Sequence, residues 1–119
     1  MSYRYPGAGP VSTVYVYKHL PSTVGRMEGV LWYVLASSRG GPSRVRIVRA
    51  LDERPRNANQ LATELDLDYT TVRHHLDVLL ENNVVDRSGD EYAAVYTFTD
   101  ATRANWDIVE EILATVGED

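Results

Sequence analysis

Apolar and polar residues change period along the chain, and the changes divide it into segments. In "VSTVYVYKHL", Val14 and Val16 stand opposite Thr13, Tyr15 and Tyr17, an alternation that predicts a strand. The preceding "MSYRYPGAGP" mixes aromatics with Gly and Pro without a period and predicts a flexible or docked arm, so residues 1–21 are read as arm and strand. In "STVGRMEGVLWYVLASS", Val24, Met27, Leu31, Val34 and Leu35 recur at helical spacing until "RGGP" stops them, which predicts a helix over 22–38. Trp32 and Tyr33 lie off that stripe, so this helix has more apolar surface than one core contact needs.

Three shorter helices follow. "SRVRIVRALDE" turns Ile47, Val48 and Leu51 inward and Arg46 and Arg49 outward, and ends before Pro55. "NANQLATELDL" opens on Asn57 with Gln60 three residues on, a capping-box pattern, and offers Ala58, Leu61, Ala62 and Leu65 inward. Only "DLD" separates it from the next helix, for which Asp68 is the expected N-cap. At about 100° per residue, Val72, Leu76 and Leu79 share the inner face of that helix, flanked by Tyr69, His75 and Leu80. Thr70, Arg73, His74 and Asp77 point the opposite way. Adjacent residues on a helix do not face each other, so His74 and His75 are not a chelating pair; no metal site is expected. Finally, "VVDRSGDEYAAVYTFTD" reads as two strands around "SGD", a hairpin. The fold class expected is α+β, mostly α: a winged helix-turn-helix over 43–99, with an extra N-terminal strand and helix and a C-terminal dimerisation helix over 100–119.

Composition narrows the chemistry. The 119 residues suit one domain with a modest core, and no apolar run is long enough to span a membrane. The chain opens without a leader pattern, so a cytoplasmic location is expected. Cysteine is absent, which excludes disulfides, thiolate ligands and thiol switching. No nucleophile elbow, phosphate-cradling Gly loop or metal cluster is present, so neither an enzyme nor a cofactor is expected. Formal net charge is -5, yet eleven of the twelve basic residues are Arg and Lys18 stands alone. Acidic excess with so little Lys fits life in concentrated salt, and fits compositional drift in a high-GC genome as well. Charge is also uneven: residues 39–56 hold six Arg against Asp52 and Glu53, a local +4, and the remainder has six basic against fifteen acidic residues. That asymmetry suggests a face for a polyanion, or a merely solvated helix face.

"SRVRIVRALDE…NANQLATELDLDYTTVRHHLDVLLENNVV" resembles the winged-helix core of ArsR-type transcriptional regulators. The resemblance runs from about Ser43 to Thr99, and "TVRHHLDVLLENNVV" carries most of it. With the acidic, Lys-poor composition, the chain looks most like a haloarchaeal member of the oxidative-stress kind. The resemblance implies double-stranded DNA as partner, with the helix over about 68–83 in the major groove. It also implies that Arg44 is structural rather than a base reader. There are departures: His74 stands where a basic residue is usual, Arg73 where a small hydroxyl is frequent, and Asp77 where Lys is common. The Cys pairs and His/Asp clusters of the metal-sensing branches are missing.

Candidate DNA contacts are Thr70, Arg73 and His74 at base edges or in the groove, with Arg suited to guanine O6/N7. Tyr69 either meets phosphate through its hydroxyl or flanks the core. Thr71 and Asn59 are backbone-contact candidates, and Gln60 is one unless capping occupies it. Arg87, Ser88 and Gly89 form the wing tip, beside Asp90 and Glu91. Arg46 and Arg49 are phosphate contacts or solvated charge. From Ala101 to Val116, Trp106, Val109, Leu113 and Val116 step at helical spacing with Ile112 beside them, a stripe suited to a seam or to the domain's own core. With Leu31 and Val34 of the first helix, they are candidate contacts of a homodimer presenting two reading helices about 34–36 Å apart. Salt ions on the acidic surface are further candidate partners. The reading from another class is a winged-helix module that docks onto transcription machinery.

Overall fold

The computed structural model describes residues 25–90 and 93–116. The predicted arm and strand of residues 1–21 lie outside the described residues. Helix α1 (Arg26–Trp32) runs into a π-helical segment, Tyr33–Ser37, where the prediction had one uniform helix. In this segment Ser38 N–H reaches back five residues to Tyr33 O, 2.9 Å. The shift takes Ser38 N–H away from Val34 O, the partner it would have in an α-helix, and leaves that carbonyl for a side chain. Helix α2 (Gly41–Glu53) follows with Pro42 in its first turn, where a missing N–H costs nothing, and ends at extended Arg54 ahead of Pro55.

Strand β1 (Arg56–Asn57) leads directly into helix α3 (Ala58–Leu65). The capping box is formed in full: Gln60 N–H donates to Asn57 Oδ1 at 2.8 Å and Asn57 N–H to Gln60 Oε1 at 2.9 Å. Helix α4 (Tyr69–Glu81) begins at Asp68, whose carboxylate accepts from Thr70 N–H at 3.0 Å. Strands β2 (Val85–Ser88) and β3 (Val95–Phe98) make the wing, and β1 adds to its other edge, giving the antiparallel order β1-β3-β2. Strand β3 begins at Val95, beyond the "SGD" around which the two strands were expected. Strand β1 is two residues long, too short to show an alternation. This is an α+β winged helix-turn-helix.

Both α3 and α4 stop the same way. Leu67 N–H returns to Ala62 O and Asp66 N–H to Thr63 O, while Val84 N–H returns to Leu79 O and Asn83 N–H to Leu80 O. These are paired 6→1 and 5→2 closures, each around a left-handed residue, Asp66 (φ 56°) and Asn83 (φ 61°). Asp and Asn are the L-residues that tolerate this region best, so the turn before α4 and the entry to the wing are set locally.

The C-terminal region is not the single helix expected from Ala101 onward. A short α5 (Asp100–Ala104) ends at Asn105, and α6 (Trp106–Val116) starts afresh. Thr99 ties this corner down: its hydroxyl bonds Asn83 O at 2.8 Å and accepts Thr102 N–H, while Thr102 Oγ1 donates to Val84 O at 2.8 Å. One core joins every layer, with Leu31, Val34, Ile47, Leu61, Val72, Leu76, Leu79, Tyr96, Val109 and Ile112 among its buried members. Among the described residues, no helix is long and apolar enough to cross a membrane. Because β-branched side chains are badly strained at positive φ, Asp66→Val and Asn83→Val are each expected to cost about 1–2 kcal/mol. Asp66→Gly is expected to stay within about 1 kcal/mol of the parent; urea unfolding followed by circular dichroism checks all three.

Candidate nucleic-acid interface

The inner and outer faces of α4 divide as its periodicity predicts except at two places: Tyr69, expected beside the inner face, is exposed, and Arg73, expected outward, is half-buried. Val72, Leu76 and Leu79 are fully buried and His75 nearly so, while Tyr69, Thr70, His74 and Asp77 are exposed. Thr71 and Arg73 are half-buried. The Asp68 cap starts the helix at Tyr69, so its first turn carries the exposed hydroxyls and its N-terminal N–H groups toward solvent. Arg73 Nη1 donates to Tyr69 Oη at 3.2 Å, one turn back on the same face. This bond, more than any other influence, holds the guanidinium above its ordinary pKa. Arg73 Nε is buried and has no partner among the described residues. Tyr69 is 37% exposed.

Beside the helix, Arg87, Ser88 and Gly89 are exposed at the end of β2, with Gly89 at φ 102° turning the chain out of the strand. Asp86 and Asp90 are exposed next to them. Asn59 is exposed on the first turn of α3, where it lines a shallow depression with Gln60, Thr63 and Glu64. Gln60 is occupied by the capping box.

The basic stretch 39–56, read either as a face for a polyanion or as a solvated helix face, does not bring all its Arg to one surface. Arg44 and Arg56 are buried. Arg56 bonds Glu64 and the Ala50 carbonyl and pairs with Glu53 Oε1 at 3.2 Å, and Arg54 pairs with Glu64 Oε2 at 3.2 Å. Exposed Arg46 donates to Leu65 O at 2.6 Å, and exposed Arg49 to Leu113 O at 3.0 Å. Both carbonyls belong to helix C-terminal turns, where a cation is favoured. A charge count gives no direction, and this one combined internal cations with external ones.

The role expected of Arg44 is realised in an unanticipated way. Its Nε donates to Val34 O at 2.9 Å, the carbonyl released by the π-helical segment, and Nη2 bonds Ser38 Oγ. Nη1 stands 3.0 Å from His75 Nδ1. Arg has no acceptor, so Nδ1 must be the unprotonated nitrogen of a neutral imidazole. Burial first, then the Arg44 cation and then His74, hold His75 below its ordinary value of 6.5. Burial likewise lowers Arg44, against an opposing contribution from Tyr33.

The apolar candidates separate into two groups. Leu31, Val34 and Val109 are enclosed in the chain's own core, so they have no surface to offer another molecule. Trp106 and Leu113 are half-buried and Val116 is 39% exposed, so these three keep surface. Trp106 stacks at a tilt on Phe98, with ring centroids 4.9 Å apart. Helical spacing alone does not separate a core stripe from a seam, which is why the periodicity merged the two.

Residues 41–87, from the start of α2 into β2, match the family described as bacterial regulatory protein, arsR family. No curated protein matches the chain. The family match supports an ArsR-type helix-turn-helix that binds DNA and regulates transcription. Because folded His75 favours the neutral form, stability is expected to be full above about pH 6.5 and to fall below it as the unfolded chain takes up the proton first. Urea midpoints from about pH 8 to about pH 5 check this, and His75→Gln is expected to flatten that part of the profile.

Proposed function

We propose that the chain, whose residues 41–87 match the ArsR-type helix-turn-helix, is a sequence-specific reader of double-stranded DNA that acts as a homodimer. The observation that carries this reading is the split of α4: a buried apolar inner face fixes it, and its first turns expose Tyr69, Thr70 and His74 beside the wing. A helix presented by its N-terminal turns brings donors to base edges in the major groove, with a favourable dipole for flanking phosphates. Thr70, Arg73 and His74 are the proposed groove contacts, and Tyr69, Thr71 and Asn59 the backbone contacts. Arg87, Ser88 and Gly89 place the wing on the minor groove or backbone. Arg46 and Arg49 are lesser phosphate candidates, since each already serves a carbonyl.

Trp106, Leu113 and Val116 are the proposed seam with a second copy, supported by the apolar surface they retain. Such a twofold arrangement sets two reading helices about one DNA turn apart. We further propose that the protein works in concentrated salt, as its acidic, Lys-poor composition suggests, in an oxidative-stress response. At molar salt the Debye length is about 3 Å, so close hydrogen bonds and groove fit must carry the binding. Exposed Asp77, Asp86 and Asp90 around the interface are suited to hold bridging cations.

One observation favours the reading as a protein-docking module: the Arg-rich stretch is partly drawn into internal contacts. Binding to fragments of the protein's own promoter region and to random DNA, from low to molar KCl, separates the two. Selective binding that Arg73→Ala weakens by about 10- to 100-fold is expected of the reader. Unselective binding that vanishes with salt, unchanged by Arg73→Ala, selects the docking module. Affinity that rises with salt over part of the range supports cation bridging, and a monotonic fall removes it.

A further inference from the structure

Nothing in the DNA-contact set accounts for the buried cluster at Arg44, which joins three elements. The π-helical segment supplies Val34 O and Ser38 stands at its end, α2 supplies the cation, and α4 supplies His75. The cluster is closely built. A methyl group at Gly40 would lie 2.7 Å from His75 Cε1 and closer still to Arg44 Nη1. Gly40 sits at φ -85°, ψ 8°, which other residues adopt, so it is the room beside the pair that requires glycine here.

A guanidinium is planar and its donors are fixed relative to one another. When Nε is held on Val34 O, the direction of Nη1 follows, and with it the place where His75 Nδ1 can be satisfied. His75 is on the inner face of α4, and His74, Thr71 and Thr70 are its neighbours on the same turns. We infer that Arg44 is a positioning residue for α4: it transmits the backbone register of Tyr33–Ser37 to the residues that face the DNA groove.

The π register is part of this arrangement. Were Tyr33–Ser37 α-helical, Ser38 N–H would take Val34 O, and Arg44 Nε would compete for it. A change of register near Tyr33 therefore frees or holds Arg44, and α4 receives the difference at His75. Protonating His75 has the same effect from the other end, because it sets two cations against each other at 3.0 Å. Among the described residues, the charged and titratable groups facing His75 are Arg44 from α2 and His74 from its own helix, with Tyr33 of the π-helical segment acting on Arg44.

This inference rests on the proposed DNA-reading role, and its test separates the two. Backbone amide resonances of the full chain are followed without DNA, and affinity for promoter DNA is measured in parallel. On acidifying the wild-type chain, amides of Tyr33–Ser38 and of Thr70–His74 are expected to move together, with the midpoint of the His75 ring signal. His75→Asn, whose Oδ1 stands where Nδ1 does, keeps an acceptor for Arg44 but cannot titrate, and is expected to retain neutral-pH amide positions and affinity while losing the coupled shift. Gly40→Ala, which pushes the pair apart, is expected to displace both amide sets and weaken DNA binding by about tenfold.

If His75 titrates while Tyr33–Ser38 stays still, or if folded Gly40→Ala leaves the Thr70–His74 amides in place, the inference is overturned. The wild-type titration decides the matter even if Gly40→Ala does not fold. If the wild-type chain binds no DNA, the functional reading is lost, and the amide shifts still decide whether Arg44 positions α4.

Discussion

The structure turns on one cation held away from water. Arg44 is buried, and a guanidinium in that setting is tolerable only when its donors are satisfied. Its partners come from the far end of the first helical region and from α4, so satisfying the charge fixes the relative placement of both. The apolar core supplies the larger share of the driving force for folding, but burial is non-directional. Directional bonds at Arg44, and the local closures at Asp66 and Asn83, select one arrangement among those that would bury the same side chains.

The parts of the fold written in local chemistry were legible in the sequence. The Asn57–Gln60 box and the Asp68 cap follow from residue type and spacing over three or four positions, and both are formed. The division of α4 into His75 inside and His74 outside follows from helical angle alone. What could not be read depends on partners far along the chain. Strand β1 exists because Arg56 and Asn57 pair with Tyr96 and Val95, and two residues carry no period. The π-helical shift moves one hydrogen bond and leaves the apolar stripe readable as an ordinary helix. The break at Asn105 is likewise invisible to a stripe that Trp106, Val109 and Leu113 continue.

The candidate site was legible to a similar depth. Exposure of Thr70 and His74 needed only the angle, whereas the state of Arg73 depends on a bond to Tyr69 that spacing permits but does not require. The basic stretch shows the opposite error. Arg56 sits next to Pro55, close to Glu53 and eight residues before Glu64, and that acidic company was the available sign of an internal role. Counting charge along the chain passes over this, because burial decides whether a charge is felt by a partner or by the protein itself.

The hydroxyl of Thr99 has a consequence for how such a molecule can be controlled. It binds together the end of α4, the root of the wing and the start of α5, and Thr102 doubles the connection. Helix and wing are thus one stiff piece, poorly suited to bending at their junction. A force reaching this piece has little to deform and much to swing: it can alter the tilt of α4 and the wing together against α1 and α2. A change of aim, rather than a loosening, is the motion that this junction permits.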